Sequence, residues 1–183
     1  MSFDPTSLAT ALRLTLQGEI ERAGGWLPFD RFMAQALYAP GLGYYVNHTR
    51  KFGRMPSSGS DFVTAPEMTP LFGQALAVAV ADAMDATGVD EVWEFGAGTG
   101  ALASQLLGAL GERVRRYTIV DLSGTLRARQ QEVLAAFGSR VQWASELPES
   151  FRGVVVGNEV LDAMPVKLLA RTGGAWHERG VAW

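Results

Sequence analysis

Gly96, Gly98 and Gly100 stand at alternate positions, directly behind the apolar run VWEF and directly ahead of ALASQLLGAL. The triplet demands a strand that ends in a sharp turn with its backbone bare of side chains, then a helix opening at once. The surrounding texture agrees. From Asp90 onward, VWEFGAG reads as a strand followed by a helix through Leu110, and RYTIVDL as a strand followed by a helix through Phe137. VQWASEL and GVVVGNE read as two further strands. Strands this continuously apolar, alternating with helices, belong in a parallel sheet covered on both faces. The terminal VKLLARTGGAWHERGVAW reads instead as an antiparallel hairpin turning at Gly173-Gly174.

Backbone that bare lets a ligand approach closely, and the G-A-G-T-G-A spacing fits the loose dinucleotide pattern with Ala101 in third place. No Lys-Ser/Thr pair follows, so this is not a phosphate loop of the P-loop kind. The glycines alone do not choose between NAD and another adenosine cofactor. Glu94 bears on that choice. A carboxylate pointing into the turn would repel a pyrophosphate by roughly 3 kcal/mol per charge pair, at about 5 Å and an effective dielectric of about 20. S-adenosylmethionine carries an ammonium and a sulfonium and no phosphate, so an acid two positions ahead of the first glycine suits it. Asp121 ends the next strand about twenty residues past the last glycine, where a carboxylate can accept both ribose hydroxyls. It serves either cofactor. Structural alternatives stand beside each reading. The glycines can form a tight connection and nothing more, Glu94 can be a buried acid paired to a backbone N–H or an arginine, and Asp121 can cap the helix ahead of Ser123.

The N-terminal half is of another kind. Leu8, Leu12, Leu16 and Ile20 recur every four residues, which predicts an amphipathic helix over 6–23 ended by Gly24-Gly25. Pro28 opens a second short helix through Leu37. A turn-rich LYAPGLGYY and a loop rich in Gly, Pro and Ser follow, and then a long helix over about 65–86. The expected division is an N-terminal helical cap and cofactor-mouth loop over 1–88 and a Rossmann-like core over 89–183. No internal repeat is visible.

Composition removes several function classes. The absence of cysteine excludes disulfides, zinc-thiolate sites, Fe–S clusters and a cysteine nucleophile, and two histidines make a poor basis for a metal site. A net charge of −3 gives no bulk attraction to nucleic acid or to an anionic membrane surface. The stretch Phe72 to Met84 is too short, and too interrupted by Gln74 and Asp82, to span a bilayer. The acids Asp4, Glu19 and Glu21 fit neither a secretory signal nor a transit peptide, so the expected compartment is the cytoplasm.

Four segments carry a resemblance: FMAQALYAPGLGYY, SDFVTAPEMTPLFGQAL, VWEFGAGTGALA and VVVGNEVLDAMPV, together running from about residue 32 to 166. In this order they resemble the MidA-like family of class I S-adenosylmethionine-dependent methyltransferases, which includes a protein arginine methyltransferase of mitochondrial complex I assembly. Ser60 stands where the family usually has glycine. The resemblance implies the class I methyltransferase sheet, S-adenosylmethionine as cofactor and an arginine-bearing protein as substrate. Such a sheet has seven strands; four and a hairpin are visible here, so the core is expected to be incomplete at its C-terminal side.

Two motifs of that set have readings of their own. Thr64-Ala65-Pro66-Glu67 has the form of a capping box, with Thr64 and Glu67 bonding each other's amides. The same helix start, with Asp61 and Phe62, would line the cofactor mouth and attract the methionine carboxylate. If the chain turns helical after Val156, Asn158 and Asp162 lie four apart and Glu159 and Asp162 three apart, on one face. Two carboxylates there would hold a guanidinium by paired hydrogen bonds and aim one nitrogen at the methyl group. Their structural alternative is a turn and cap around Pro165. Tyr38, Tyr44 and Tyr45 read as the packing of a turn, with an aromatic wall over a ligand as the alternative. Arg50, Lys51 and Arg54 read as a solvated loop. Two rivals remain: an NAD-linked oxidoreductase, and a non-catalytic assembly module that keeps the cofactor fold.

Overall fold

The computed structural model describes residues 5–47, 63–121 and 123–183. Asp61, Phe62 and most of the loop ahead of them lie outside the described residues. The chain divides into two compact units, Arg50–Val160 and a second made of Met1–Thr49 with Leu161–Trp183. This grouping differs from a cut at residue 88, because the helix ahead of that point packs with the parallel sheet and the terminal hairpin packs with the N-terminal helices.

The N-terminal helix α1 (Pro5–Arg22) buries Leu16 and Ile20, the inner end of its four-residue repeat. Gly24 and Gly25 follow at positive φ, and a short strand β1 (Trp26–Pro28) precedes α2 (Phe29–Tyr38). That strand is absent from the sequence reading, since three residues carry no period. It is made by its partner: β1 pairs antiparallel with β7 (Ala175–Ala182), which also pairs with β6 (Leu168–Thr172). The hairpin turns through Gly173 and Gly174, at φ 60° and 84°, between the paired Thr172 and Ala175. This is the two-residue turn that right-handed strand twist favours. In the same unit Tyr38 stacks on Tyr45 at 5.7 Å, Tyr44 meets Tyr45 edge-on at 5.0 Å, and the Tyr38 hydroxyl donates to the Ala163 carbonyl at 2.8 Å. The three tyrosines pack one turn.

The other unit holds a four-stranded parallel sheet in the order β4-β3-β2-β5, with β2 Glu91–Phe95, β3 Arg116–Val120, β4 Val141–Ala144 and β5 Val154–Gly157. Helices α5 (Ala101–Leu110) and α6 (Gly124–Val133) connect successive strands. The order runs away from β2 in one direction through β3 and β4, then reverses to β5. Ligands in open α/β sheets bind at such a reversal, beyond the carboxyl ends of the strands.

The expected long helix is two helices. Pro70 disfavours helical backbone at the residue before it, and Thr69 sits extended at φ −155°, ψ 140°. The four-residue α3 (Ala65–Met68) ends there, and α4 (Pro70–Thr87) begins with the Thr69 side chain accepting the Leu71 N–H at 3.2 Å. Gly88 closes α4 in the left-handed conformation.

One core joins these elements. Val92, Tyr117, Ile119 and Val156 face Leu102, Leu106 and Leu107 of α5, with Ala77, Val80 and Met84 of α4 packed against them. Each large aliphatic side chain buried this way contributes about 1.5–3 kcal/mol. The α4–α5 contact is close because Gly73 has no Cβ: its N–H donates to Gln105 Oε1 at 3.0 Å, while Gln105 Nε2 donates to the Pro66 carbonyl at 2.7 Å. A methyl group on Gly73 would overlap the Gln105 side chain. Gly73→Ala is therefore expected to destabilise the protein by about 1–3 kcal/mol, read as a lower urea midpoint; an unchanged midpoint would mean that α4 can shift freely.

Candidate functional site

The turn after β2 is built as the glycine spacing requires. Gly96, Gly98 and Gly100 have φ of 61°, 55° and 86°, in the left-handed region that side chains rarely enter. Gly96 N–H donates to the Val120 carbonyl at 3.1 Å, which ties the turn to the end of β3. Gly100 is the N-cap of α5 and packs on α6: a Cβ there would sit 3.5 Å from Gln130 Cα. Val160 lies over the other side, 3.1 Å from the place a Gly96 Cβ would occupy. The chain leaving β5 thus packs against the turn through Val160, a contact without any signature in the sequence.

Asp121 follows the last residue of β3. Its Oδ1 accepts the Ser123 N–H at 2.9 Å and its Oδ2 accepts Gln130 Nε2 at 2.8 Å. Ser123 itself caps α6 by accepting the Leu126 N–H. The helix cap is therefore Ser123, and Asp121 is the carboxylate that orients the turn leading into it.

Glu94 requires a correction. The sequence reading presents its carboxylate to a ligand; in the structure it is 2% exposed, and Oε2 accepts the Tyr117 hydroxyl at 2.7 Å. The pair is a consequence of register. Val92 lies opposite Tyr117 and Glu94 opposite Ile119, so Glu94 and Tyr117 are diagonal neighbours on one face of the sheet. Burial pushes the Glu94 carboxyl up to about 7; the Tyr117 hydrogen bond works against that rise and the Asp121 charge adds to it. Burial, with the Glu94 charge, also holds the Tyr117 hydroxyl well above the usual phenol range. Near neutrality Glu94 is thus part neutral, and the repulsion argument against a pyrophosphate loses its fixed anion. The two acids nonetheless make this end of the sheet one that positive charge would stabilise.

The capping box is also not what forms. Thr64 is the N-cap of α3 without a capping bond from its side chain, and the Glu67 carboxylate accepts a hydrogen bond from the Thr99 hydroxyl within the glycine turn. Glu67 fastens α3 to the turn. Thr99 is buried, and this bond gives its hydroxyl the partner that burial demands.

After β5 the chain does not become an α-helix. Asn158 and Glu159 lie in bends, Glu159 has φ 54°, and a single 3-10 turn spans Leu161–Ala163. A left-handed residue at 159 breaks the three-and-four spacing that would have aligned Asn158, Glu159 and Asp162 on one face. Such backbone on a residue with a side chain costs on the order of 1 kcal/mol. Asn158 and Glu159 belong to the sheet unit, where Asn158 directly follows the last residue of β5; Asp162 belongs to the other unit.

A parallel sheet with a left-handed glycine turn at its order reversal, and an acid closing the adjacent strand, defines a Rossmann-like nucleotide-cofactor protein. Comparison with known proteins narrows the class. The family described as "Putative S-adenosyl-L-methionine-dependent methyltransferase" matches residues 75–183, and the chain belongs to that family. A Burkholderia thailandensis protein, crystallised with S-adenosyl-homocysteine, is 56% identical and superposes with a TM-score of 0.87 over 100% of this chain and 49% of its own. The protein arginine methyltransferase NDUFAF7 of Danio rerio is 29% identical over 85% of this chain and 43% of its own length. The Caenorhabditis elegans homologue of that mitochondrial enzyme is 27% identical over 86% and 43%. The chain thus spans less than half the length of the relatives it matches.

Proposed function

We propose that the chain carries the cofactor-binding part of an S-adenosylmethionine-dependent methyltransferase that acts on arginine in a protein. The observation that carries the cofactor reading is the pairing of the glycine turn with Asp121 across adjacent strand ends. Gly96, Gly98 and Gly100 offer bare backbone to the methionine moiety, and Asp121 accepts the ribose hydroxyls. Glu94 lies beneath as a titratable counter-charge. The cofactor supplies a methyl group on a sulfonium, open to direct displacement by a nucleophilic nitrogen. Alignment and charge balance are then the protein's tasks. Thr64 and Glu67 form the rim on the α3 side, with Glu67 acting through Thr99. The name of the NDUFAF7 relatives supports an arginine substrate, and Asn158 and Glu159, beyond the end of β5 in the sheet unit, are the groups offered to its guanidinium.

A second reading is a non-catalytic binding module that keeps the cofactor fold and binds the cofactor without turnover. Calorimetric titration with S-adenosylmethionine, S-adenosylhomocysteine and NAD tests the cofactor. Binding of both sulfur nucleosides and none of NAD is expected, whereas tight NAD binding with no response to S-adenosylmethionine would overturn the assignment. Methyl transfer to arginine-bearing peptides, followed by mass spectrometry, tests the substrate. Cofactor binding with unmodified arginines would leave the non-catalytic reading in place.

A further inference from the structure

Gln130 lies on α6 in RARQQEV, a run of the polar kind that helices commonly turn to solvent. It is instead fully buried, and its amide is completely engaged. Nε2 donates to the Gly98 carbonyl at 2.9 Å and to Asp121 Oδ2 at 2.8 Å, and Oε1 accepts the Trp143 Nε1–H at 2.9 Å. Indole N–H only donates, so Trp143 fixes which end of the amide is oxygen and therefore which end faces the site. Both donors are spent on the elements assigned to the ligand: the middle glycine of the turn after β2 and the carboxylate after β3.

We infer that Gln130 is the positioning residue of this site: it clamps the glycine turn and Asp121 into one geometry, so that recognition of a ribose-bearing ligand depends on a side chain that need not touch it. The inference rests on the cofactor reading above. Backbone already ties Gly96 to Val120, but that bond does not set the orientation of the Asp121 carboxylate. Ser123 N–H holds one carboxylate oxygen and Gln130 holds the other, which selects a single orientation. A carboxylate held in place meets two vicinal hydroxyls without first losing rotamer freedom. Burying an amide is costly unless all its partners are present, and here all are. A hydrophobic residue of the same size would fill this space equally well, so packing alone does not call for an amide.

The test is a double-mutant cycle on the full chain, with S-adenosylhomocysteine affinity measured by calorimetry and folding checked by thermal melts. Gln130→Met keeps the volume and removes the clamp, and is expected to weaken binding roughly tenfold. Asp121→Asn should weaken it comparably, and the loss in the double variant should fall clearly short of the product of the two single losses, because Gln130 acts in part through Asp121. Gln130→Glu keeps the acceptor for Trp143 but sets a second carboxylate against Asp121. It should weaken binding at least as much as Gln130→Met, and that penalty should shrink in the Asp121→Asn background, where only the repulsion from the Gly98 carbonyl remains. If Gln130→Met does not fold, the cycle is closed with Gln130→Glu. Losses that multiply, or affinity unchanged in both Gln130 variants, overturn the positioning role while leaving the cofactor reading intact. A wild-type chain that does not bind S-adenosylhomocysteine removes both.

Discussion

Glu94→Gln is expected to stabilise the ligand-free protein at about pH 8 by roughly 3 kcal/mol, and to change little below about pH 4. The carboxyl sits at about 7 in the folded chain against its ordinary 4.5, with burial as the main cause. Between those values the folded chain holds a proton that the unfolded chain has released, so stability falls as pH rises through this window. Above about 7 both states are ionised, and the folded one bears the full cost of a buried anion. Glutamine cannot ionise, and its carbonyl can still accept the Tyr117 hydroxyl. Chemical denaturation of both proteins at several pH values measures the effect; parallel stability curves would show that Glu94 is ionised at ordinary cost. The functional consequence follows from the same numbers. A cation bound nearby favours the ionised form, so saturating S-adenosylmethionine should shrink the gap between the two proteins at high pH, whereas a phosphate-bearing ligand should not. Wild type then gives up stability for a charge that only a cationic ligand rewards.

The parts of this molecule legible in the sequence are those governed by local chemistry. The glycine triplet needed left-handed backbone and has it; the Gly173-Gly174 hairpin, the apolar strands and the Leu16–Ile20 face follow from period and turn type. Pro70 was equally readable, because proline restrains the residue before it, yet the apolar periodicity on both sides of Thr69 masks the break between α3 and α4. What the sequence hides is set by register and by contacts distant along the chain. Tyr117 captures Glu94 because β2 and β3 pair one way and not another, and a shift of one residue would have turned the carboxylate to the opposite face. Glu67 has a capping partner three residues away, but a hydroxyl in the glycine turn, thirty-two residues on, takes the bond instead. Gln130 has no signal at all, since a buried amide and a solvated one look alike in a polar run. The bend at Glu159 is the same lesson in backbone form: NEVLDAMP carries good helical spacing, and Val160 packing over Gly96 leaves it unused.

Asp121→Ala should cost both affinity and stability, and the size of the second effect is what the structure adds. As a bare ribose acceptor, Asp121 could be removed at the expense of binding alone. Its two oxygens, however, satisfy the Ser123 N–H and one Gln130 N–H, and Gln130 is fully buried. Alanine leaves a buried amide donor without a partner, at about 1–3 kcal/mol, in addition to the charge-assisted bonds to the ribose, at about 1.5–3 kcal/mol. The melting temperature should therefore fall in the absence of ligand, and S-adenosylhomocysteine affinity should fall by roughly ten- to a hundredfold. Asparagine separates the two: its carbonyl keeps one donor satisfied while its NH2 confronts the other, so the melting temperature should lie between alanine and wild type. Unchanged affinity in both variants would remove Asp121 from the site. Lost affinity at an unchanged melting temperature would mean that the Gln130 amide finds another acceptor, and that α6 is less firmly held to the turn than its hydrogen bonds indicate.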